Sequence, residues 1–144
     1  MRSKLVLGAI GLIICVCSAT QAATTSKKFA WANEEWIKLD FDSEGIAVKE
    51  VRFEVEGGIH WNPLRAGKGP QAFVRAKNES DHAMKFAVAI ALFDADGNLL
   101  AATESGHIGE LDPKEDAEVK MTFREVKRKF FEAKRGEIVL ETFK

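Results

Sequence analysis

The sequence has little cysteine, and what it has is confined to one short segment. Cys15 and Cys17 both lie in an apolar N-terminal run that has the layout of a secretory signal peptide. Once this segment is removed, the chain can form no disulfide, thiol nucleophile or cysteine-bound metal site. An exported domain without disulfides must therefore be held together by its hydrophobic core.

The N-terminal segment predicts export. Arg2 and Lys4 give a positive region, residues 5–17 give the apolar run, and small and polar residues follow. The run is shorter than the roughly 20 residues that span a bilayer. We predict cleavage after Ala22, with Ala23 as the second choice and an uncleaved anchor as the alternative. The mature protein is then periplasmic or secreted, and a bacterial periplasm is favoured.

The mature chain also lacks a strong net charge, an internal repeat and a second long apolar segment. Removing the first 22 of 144 residues leaves 122, enough for one domain, and changes the net charge from −1 to −3. Both signs are interspersed, which argues against a general nucleic-acid or anionic-membrane binder. No membrane span is expected after signal cleavage.

The strongest fold signal is the segment 84–98. Alternation predicts a strand with one apolar face, made of Met84, Phe86, Val88, Ile90 and Leu92. The opposite face is also apolar, with Ala87, Ala89, Ala91 and Phe93, so we expect a central strand covered on both sides. The residues 94–98, rich in Asp and Gly, then predict a tight hairpin.

The rest of the mature chain predicts further short strands between turns. The apolar phase changes within 46–55, which predicts a β-bulge near Lys49-Glu50. Residues 23–28 are expected to be a flexible leader, and 29–44 is ambiguous between a short helix and a strand, with a turn that leads into a strand favoured. Residues 59–69 form a long loop, and 125–135 a short helix capped by Gly136.

Together these segments predict one fold class. It is an all-β, immunoglobulin-like antiparallel sandwich of about seven strands, with one short helix near the C-terminus. The predicted organisation is a signal peptide over 1–22, a leader and ambiguous segment over 23–44, and the sandwich domain over 45–144.

Three stretches within 71–123 resemble a known family. Residues 73–80 read FVRAKNES, 90–94 read IALFD, and 108–113 read IGELDP. This pattern is similar to that of bacterial FxLYD-type domains, which are immunoglobulin-like sandwiches of exported proteins. Ile90 and Phe93 depart from the family's Phe and Tyr, and Lys114 stands where Gly is usual. The resemblance implies a fold and supplies no catalytic residues.

The sequence contains no pattern typical of an enzyme. There is no G-x-S-x-G elbow, and no two carboxylates are singled out by their spacing. Ser105 and His107 are near neighbours, as such residues often are by chance. We therefore expect a non-enzymatic protein without a cofactor.

One short pattern suggests a metal. His82 and Met84 form an H-x-M pair, a soft ligand set that suits copper(I). Met84 also belongs to the apolar face of its strand, so a surface histidine beside a core methionine is the alternative. We therefore predict no metal site, and His82 and Met84 are the candidate ligands if one is present.

The tryptophans suggest a binding surface. His60, Trp61 and Asn62 lie in the long loop, and Trp31 and Trp36 lie in the ambiguous segment. Exposed rings could stack on a sugar or contact a protein, whereas buried rings would close one end of the sandwich.

The predicted function is that of a binding or accessory module. Protein–protein interaction in the bacterial envelope comes first, through an unpaired sheet edge or the 59–69 loop. Carbohydrate binding through exposed tryptophans is the alternative, and periplasmic copper binding is weaker. The sequence leaves the identity of the partner or glycan and the oligomeric state open.

Overall fold

A computed structural model of the protein describes residues 22–55, 69–105, 109–123 and 129–143. These residues form two four-stranded antiparallel sheets and one 3₁₀ turn. The predicted β-sandwich is confirmed, with eight strands where the sequence predicted about seven. The strands are β1 (Ala22–Ala30), β2 (Trp36–Ser43), β3 (Ile46–Val55), β4 (Pro70–Asn78), β5 (Lys85–Phe93), β6 (Leu99–Glu104), β7 (Asp116–Thr122) and β8 (Arg135–Phe143), and the turn is Lys129–Glu132.

Each of the two sheets combines strands that are distant from one another in the chain. Sheet I has the strand order β1-β8-β5-β6, and sheet II has the order β2-β3-β4-β7. The edge strands β1 and β2 lie on one side of the sandwich, where they contact each other, and β6 and β7 meet on the other side. Each sheet therefore has two edge strands, one on each side of the sandwich.

The segment predicted as the central strand is β5, between β8 and β6. Its inward residues Phe86, Val88, Ile90 and Leu92 are all buried, as is Met84 just before it. The expectation that both faces are covered is wrong. Ala87, Ala89, Ala91 and Phe93 are only half-buried, because no described segment lies over the outer face of sheet I.

The predicted bulge is confirmed at Lys49. In the pairing of β3 with β4, Val48 faces Ala76 and Glu50 faces Arg75, which leaves Lys49 as the extra residue. The bulge keeps Val48 and Val51 both in the core although three positions separate them.

Residues 22–43 form β1 and β2, and Phe29 and Leu39 belong to the hydrophobic core. The turn into a strand favoured for the ambiguous segment is confirmed by β2. The prediction of a flexible segment over 23–28 is wrong, since these residues belong to the edge strand β1. The strand was hard to recognise because some of its inward side chains are polar. Lys27 points inward, opposite Ile138, and donates a hydrogen bond from its Nζ to the backbone oxygen of Leu39.

The prediction of a helix up to Arg135 is also wrong. The described part of that segment is a single 3₁₀ turn at Lys129–Glu132, and β8 begins at Arg135. Residues 124–128 lie outside the described residues. Gly136 caps no helix; it pairs with Phe29 across the strands, and a Cβ built on it would lie 2.2 Å from the ring of Phe29.

Two further predictions fall on residues that the structure does not describe. The predicted signal peptide lies almost wholly within residues 1–21, and most of the 59–69 loop lies within residues 56–68. In the part of the chain that the structure describes, no helix is long and apolar enough to cross a membrane.

Candidate functional site

The two candidate copper ligands do not converge. His82 is exposed, and its Nδ1 lies 3.0 Å from Oδ1 of Asp81. Met84 is 2% exposed and packs in the core. Within the described ranges, no group of three or more His, Cys, Asp or Glu residues could hold a metal ion.

Asn78, Ser80 and His82 lie close together because they form the turn before β5. The buried amide of Asn78 donates to the backbone oxygens of His82 and Leu111 at 2.8 and 2.9 Å. Its oxygen accepts a hydrogen bond from the backbone nitrogen of Ser80 at 3.0 Å. A buried amide that is bonded at both ends stabilises a turn, so this cluster has a structural role.

Trp31 belongs to an aromatic cluster that closes one end of the sandwich. Its ring packs edge-on against Phe130 at 5.5 Å and lies 6.4 Å from Phe53. Phe130 also contacts Phe53 and Phe123, at 6.1 and 5.4 Å between ring centres. Trp31 is therefore a packing residue, while His60, Trp61 and Asn62 lie outside the described residues.

Trp36 lies on the outer face of sheet II beneath a guanidinium group. The Cζ of Arg75 is 3.9 Å from the centre of the indole ring, and that of Arg52 is 6.0 Å away. Arg75 is held there by Glu50 at 2.6 Å and Glu118 at 3.3 Å. The hydrogen bond to Glu50 raises the pKa of Arg75 above its ordinary value. One face of the Trp36 ring is thus already covered by a charged neighbour.

Ion pairs and cation–π contacts extend across the outer face of sheet II. Arg52 pairs with Glu54 at 2.6 Å, and Lys120 lies 5.3 Å above the ring of Phe73. Exposed pairs of this kind contribute little to stability and keep a surface solvated. The outer face of sheet II therefore has the properties of a solvated protein surface.

Three of the four edge strands have features that discourage pairing with another chain. In β1, Lys27 is a charged residue that points inward. In β2, the register shifts between Lys38 and Phe41, and Asp40 has a φ of 44°. In β7, charged residues alternate along the outer face, and the backbone oxygen of Thr122 accepts a hydrogen bond from Thr103.

The fourth edge strand, β6, has no charged residue before Glu104. From Ala101 to Glu104 its pairing with β5 is regular, and the backbone nitrogen of Ser105 continues it with a bond to the oxygen of Val88 at 2.8 Å. Because hydrogen-bonding direction alternates along an antiparallel pair, the backbone N–H and C=O groups of Ala102 and Glu104 point away from β5. No described strand pairs with them there.

Two exposed apolar side chains belong to elements that meet near this edge. Leu99 and Phe131 are the two large hydrophobic residues found exposed among those described, at 60% and 53%. Leu99 begins β6 and Phe131 lies in the 3₁₀ turn, and these two elements contact each other. We call Leu99, Phe131 and the outward backbone of Ala102 and Glu104 the β6 edge site.

A shallow depression of about 500 Å³ adjoins this site on the outer face of sheet I. Its floor is formed by small side chains of β5 and β6, and carboxylates stand beside it. The lining includes Ala89, Ala91, Ala102, Glu104, Glu137 and Val139.

No model of a known protein family matches this chain, and no curated protein matches its sequence. The sequence predicted an unpaired sheet edge in general but did not single out β6. The signal was the run LLAAT over 99–103, which has no charged residue and follows a hairpin.

Proposed function

We propose that this protein is a non-enzymatic binding module that recognises a partner protein by strand addition at the β6 edge site. The observation on which the proposal depends is the outward row of backbone groups at Ala102 and Glu104, which continues into exposed hydrophobic residues. An extended segment placed beside β6 would bond to these groups and extend sheet I from four strands to five.

The energetics of the edge suit reversible binding. Two outward residues offer four backbone hydrogen bonds, each with a net contribution of about 0.5–1.5 kcal/mol. Burial of Leu99 and Phe131 would add apolar area at about 25 cal/mol per Å². Part of this gain is offset by the loss of freedom on association, so we expect moderate affinity.

The proposed location of the protein rests on its N-terminal segment. The positive, apolar and small-residue regions over 1–22 support export, and a bacterial envelope protein is the favoured partner. Cleavage after Ala22 would remove only the first residue of β1. The mature protein would therefore keep the eight strands of the sandwich.

The described tryptophans favour a protein partner over a glycan. Trp31 packs in the aromatic cluster, and Arg75 covers one face of Trp36. The separation of His82 from the buried Met84 likewise gives copper binding no support.

The test is affinity capture from envelope extract with the mature chain, residues 23–144, and two variants at one position. Ala102→Pro removes the outward N–H without removing a bond to β5, since proline is tolerated where the N–H of an edge strand faces solvent. Ala102→Ser is the matched control because it keeps the N–H. We expect a partner that the native chain and Ala102→Ser retain and Ala102→Pro loses. A partner that all three proteins bind equally would contradict strand addition at β6.

A further inference from the structure

The first and the last of the described strands pair with each other. β1 runs antiparallel to β8 over its whole length, from Ala22 opposite Phe143 to Ala30 opposite Arg135. Because β1 lies at the edge of sheet I, β8 is the one described strand to which its backbone is hydrogen-bonded. The pairing of β1 therefore has to wait until the chain has been made as far as Phe143.

The predicted cleavage site lies at the beginning of this pairing. The bond after Ala22, the first choice, joins residues that face Phe143 and Thr142, and the bond after Ala23 follows it along β1. The backbone oxygen of Ala23 accepts a hydrogen bond from the hydroxyl of Thr142 at 3.4 Å, and Thr142 is completely buried. In the folded protein, the carbonyl group of the second-choice bond is thus engaged by β8.

Two inward side chains also hold β1 against sheet II. Phe29 is the one residue of β1 that is buried, and its ring centre lies 5.8 Å from that of Phe53. The Nζ of Lys27 donates a hydrogen bond to the backbone oxygen of Leu39. β1 is therefore fixed by its backbone to one sheet and by these side chains to the other.

Docking of β1 and cleavage make competing demands on the same segment. Extended peptides are commonly bound through their main-chain hydrogen-bonding groups, and proteolysis acts on chain that is free of the fold. The backbone around Ala22 and Ala23 cannot pair with β8 and lie in the cleft of a peptidase at the same time. Hydrolysis, which adds water across the bond after Ala22, would require the beginning of β1 to open first.

We propose that the predicted signal peptide is removed before β1 docks on β8, and that the pairing of the first strand with the last keeps the cleavage site accessible during export. A chain that emerges from its N-terminus presents residues 22–30 well before β8 has followed. Sheet II is different, because β2, β3 and β4 are neighbours in both the chain and the sheet. The proposal rests on the export proposed above and adds to it the order of cleavage and folding.

The test compares cleavage of the unfolded and the folded precursor, residues 1–144, by a purified bacterial signal peptidase in detergent. Precursor unfolded in urea is diluted into folding buffer, and the peptidase is added either at once or after increasing delays. Mass spectrometry measures the fraction of chains that begin at Ala23 or Thr24, and tryptophan fluorescence follows folding. We expect the rate of cleavage to fall at least tenfold, in step with the change in fluorescence.

Two positions show which part of the fold protects the site. Phe29→Ala removes the buried anchor of β1, so its folded precursor should be cleaved several-fold faster than the native one, and the milder Phe29→Leu should lie between them. Val119→Ala is the control, since it truncates a core residue of β7 on the opposite side of the sandwich. It should leave the protection unchanged, and circular dichroism verifies that each variant is folded.

A rate of cleavage that does not depend on the delay would overturn the proposal. An equal gain in Phe29→Ala and Val119→Ala would overturn it as well, because the site would then open only when the whole domain unfolds. No cleavage without any delay would overturn it together with the predicted export. These results are distinct from a failure of strand addition at β6, which Ala102→Pro and Ala102→Ser test in the mature chain.

Discussion

Substitution of Gly136 tests how β1 is held against β8 within sheet I. A Cβ at this position would lie 2.2, 2.6 and 2.9 Å from three atoms of the Phe29 ring. Optimal carbon contacts are 3.5 Å or more, so the ring would have to retreat by at least about 1.3 Å. Such overpacking typically costs about 1–3 kcal/mol. We therefore expect Gly136→Ala to lower the free energy of unfolding by about 2–3 kcal/mol.

The assay is urea denaturation of the mature chain, with Phe29→Leu and the double variant alongside. Phe29→Leu alone removes part of a buried ring, and it also makes room for a methyl group on residue 136. The two substitutions should therefore compensate each other by at least about 1 kcal/mol in a double-mutant cycle.

Additive effects of the two substitutions would refute this reasoning. They would mean that Phe29 does not lie over Gly136, and hence that β1 is not docked in the described register.

Three further predictions concern the core and the hairpin. Phe130→Ala should lower the free energy of unfolding by about 3–5 kcal/mol in urea denaturation, and a loss below about 1 kcal/mol would contradict its central place among the aromatic rings. Gly97→Ala should cost about 1–2 kcal/mol in the same assay because Gly97 has a φ of 91°, and a neutral result would exclude that conformation. The hydrogen bond from Asn98 lowers the pKa of Asp94. The contribution of this hydrogen bond to stability is therefore present at neutral pH and is lost as the pH falls through the lowered pKa. An NMR titration should show a higher pKa for Asp94 in Asn98→Ala, and an unchanged pKa would contradict the assignment.

The parts of the fold that were predicted correctly have strong apolar alternation. The five inward residues around β5 and the phase change at Lys49 could be read directly, since period-two burial and its interruption are visible in the sequence. The strand β1 could not be predicted in this way. Its residues over 24–28 are polar on both faces, because an edge strand can direct Lys27 inward and satisfy it with a backbone oxygen of β2.

The segment before β8 was misjudged because helical spacing and core packing produce the same pattern. Phe130 and Ala133 are buried at a spacing that a helix would also give, but Phe130 lies in the 3₁₀ turn and Ala133 lies between that turn and β8. The outer face of β5 was misjudged for a related reason. Alanines satisfy the pattern of a covered strand, and only the arrangement of neighbouring strands shows that no described segment covers them.

The candidate site was less predictable than the fold. An edge strand has a hydrogen-bonded neighbour on one side only, and which strand lies at the edge depends on the order of strands in the sheet. Of the predicted site residues, Trp31, Trp36, His82 and Met84 lie at separate places in the molecule, and none belongs to the β6 edge site.

The most direct test of the β6 edge site is amide hydrogen exchange of the mature chain, measured residue by residue by NMR. In the free protein we predict slow exchange at Ala101 and Thr103, whose N–H groups bond to β5, and fast exchange at Ala102 and Glu104. A partner bound by strand addition should then slow the exchange of these last two amides. Equally slow exchange at all four residues in the free protein would show that the edge is already occupied and would contradict the account.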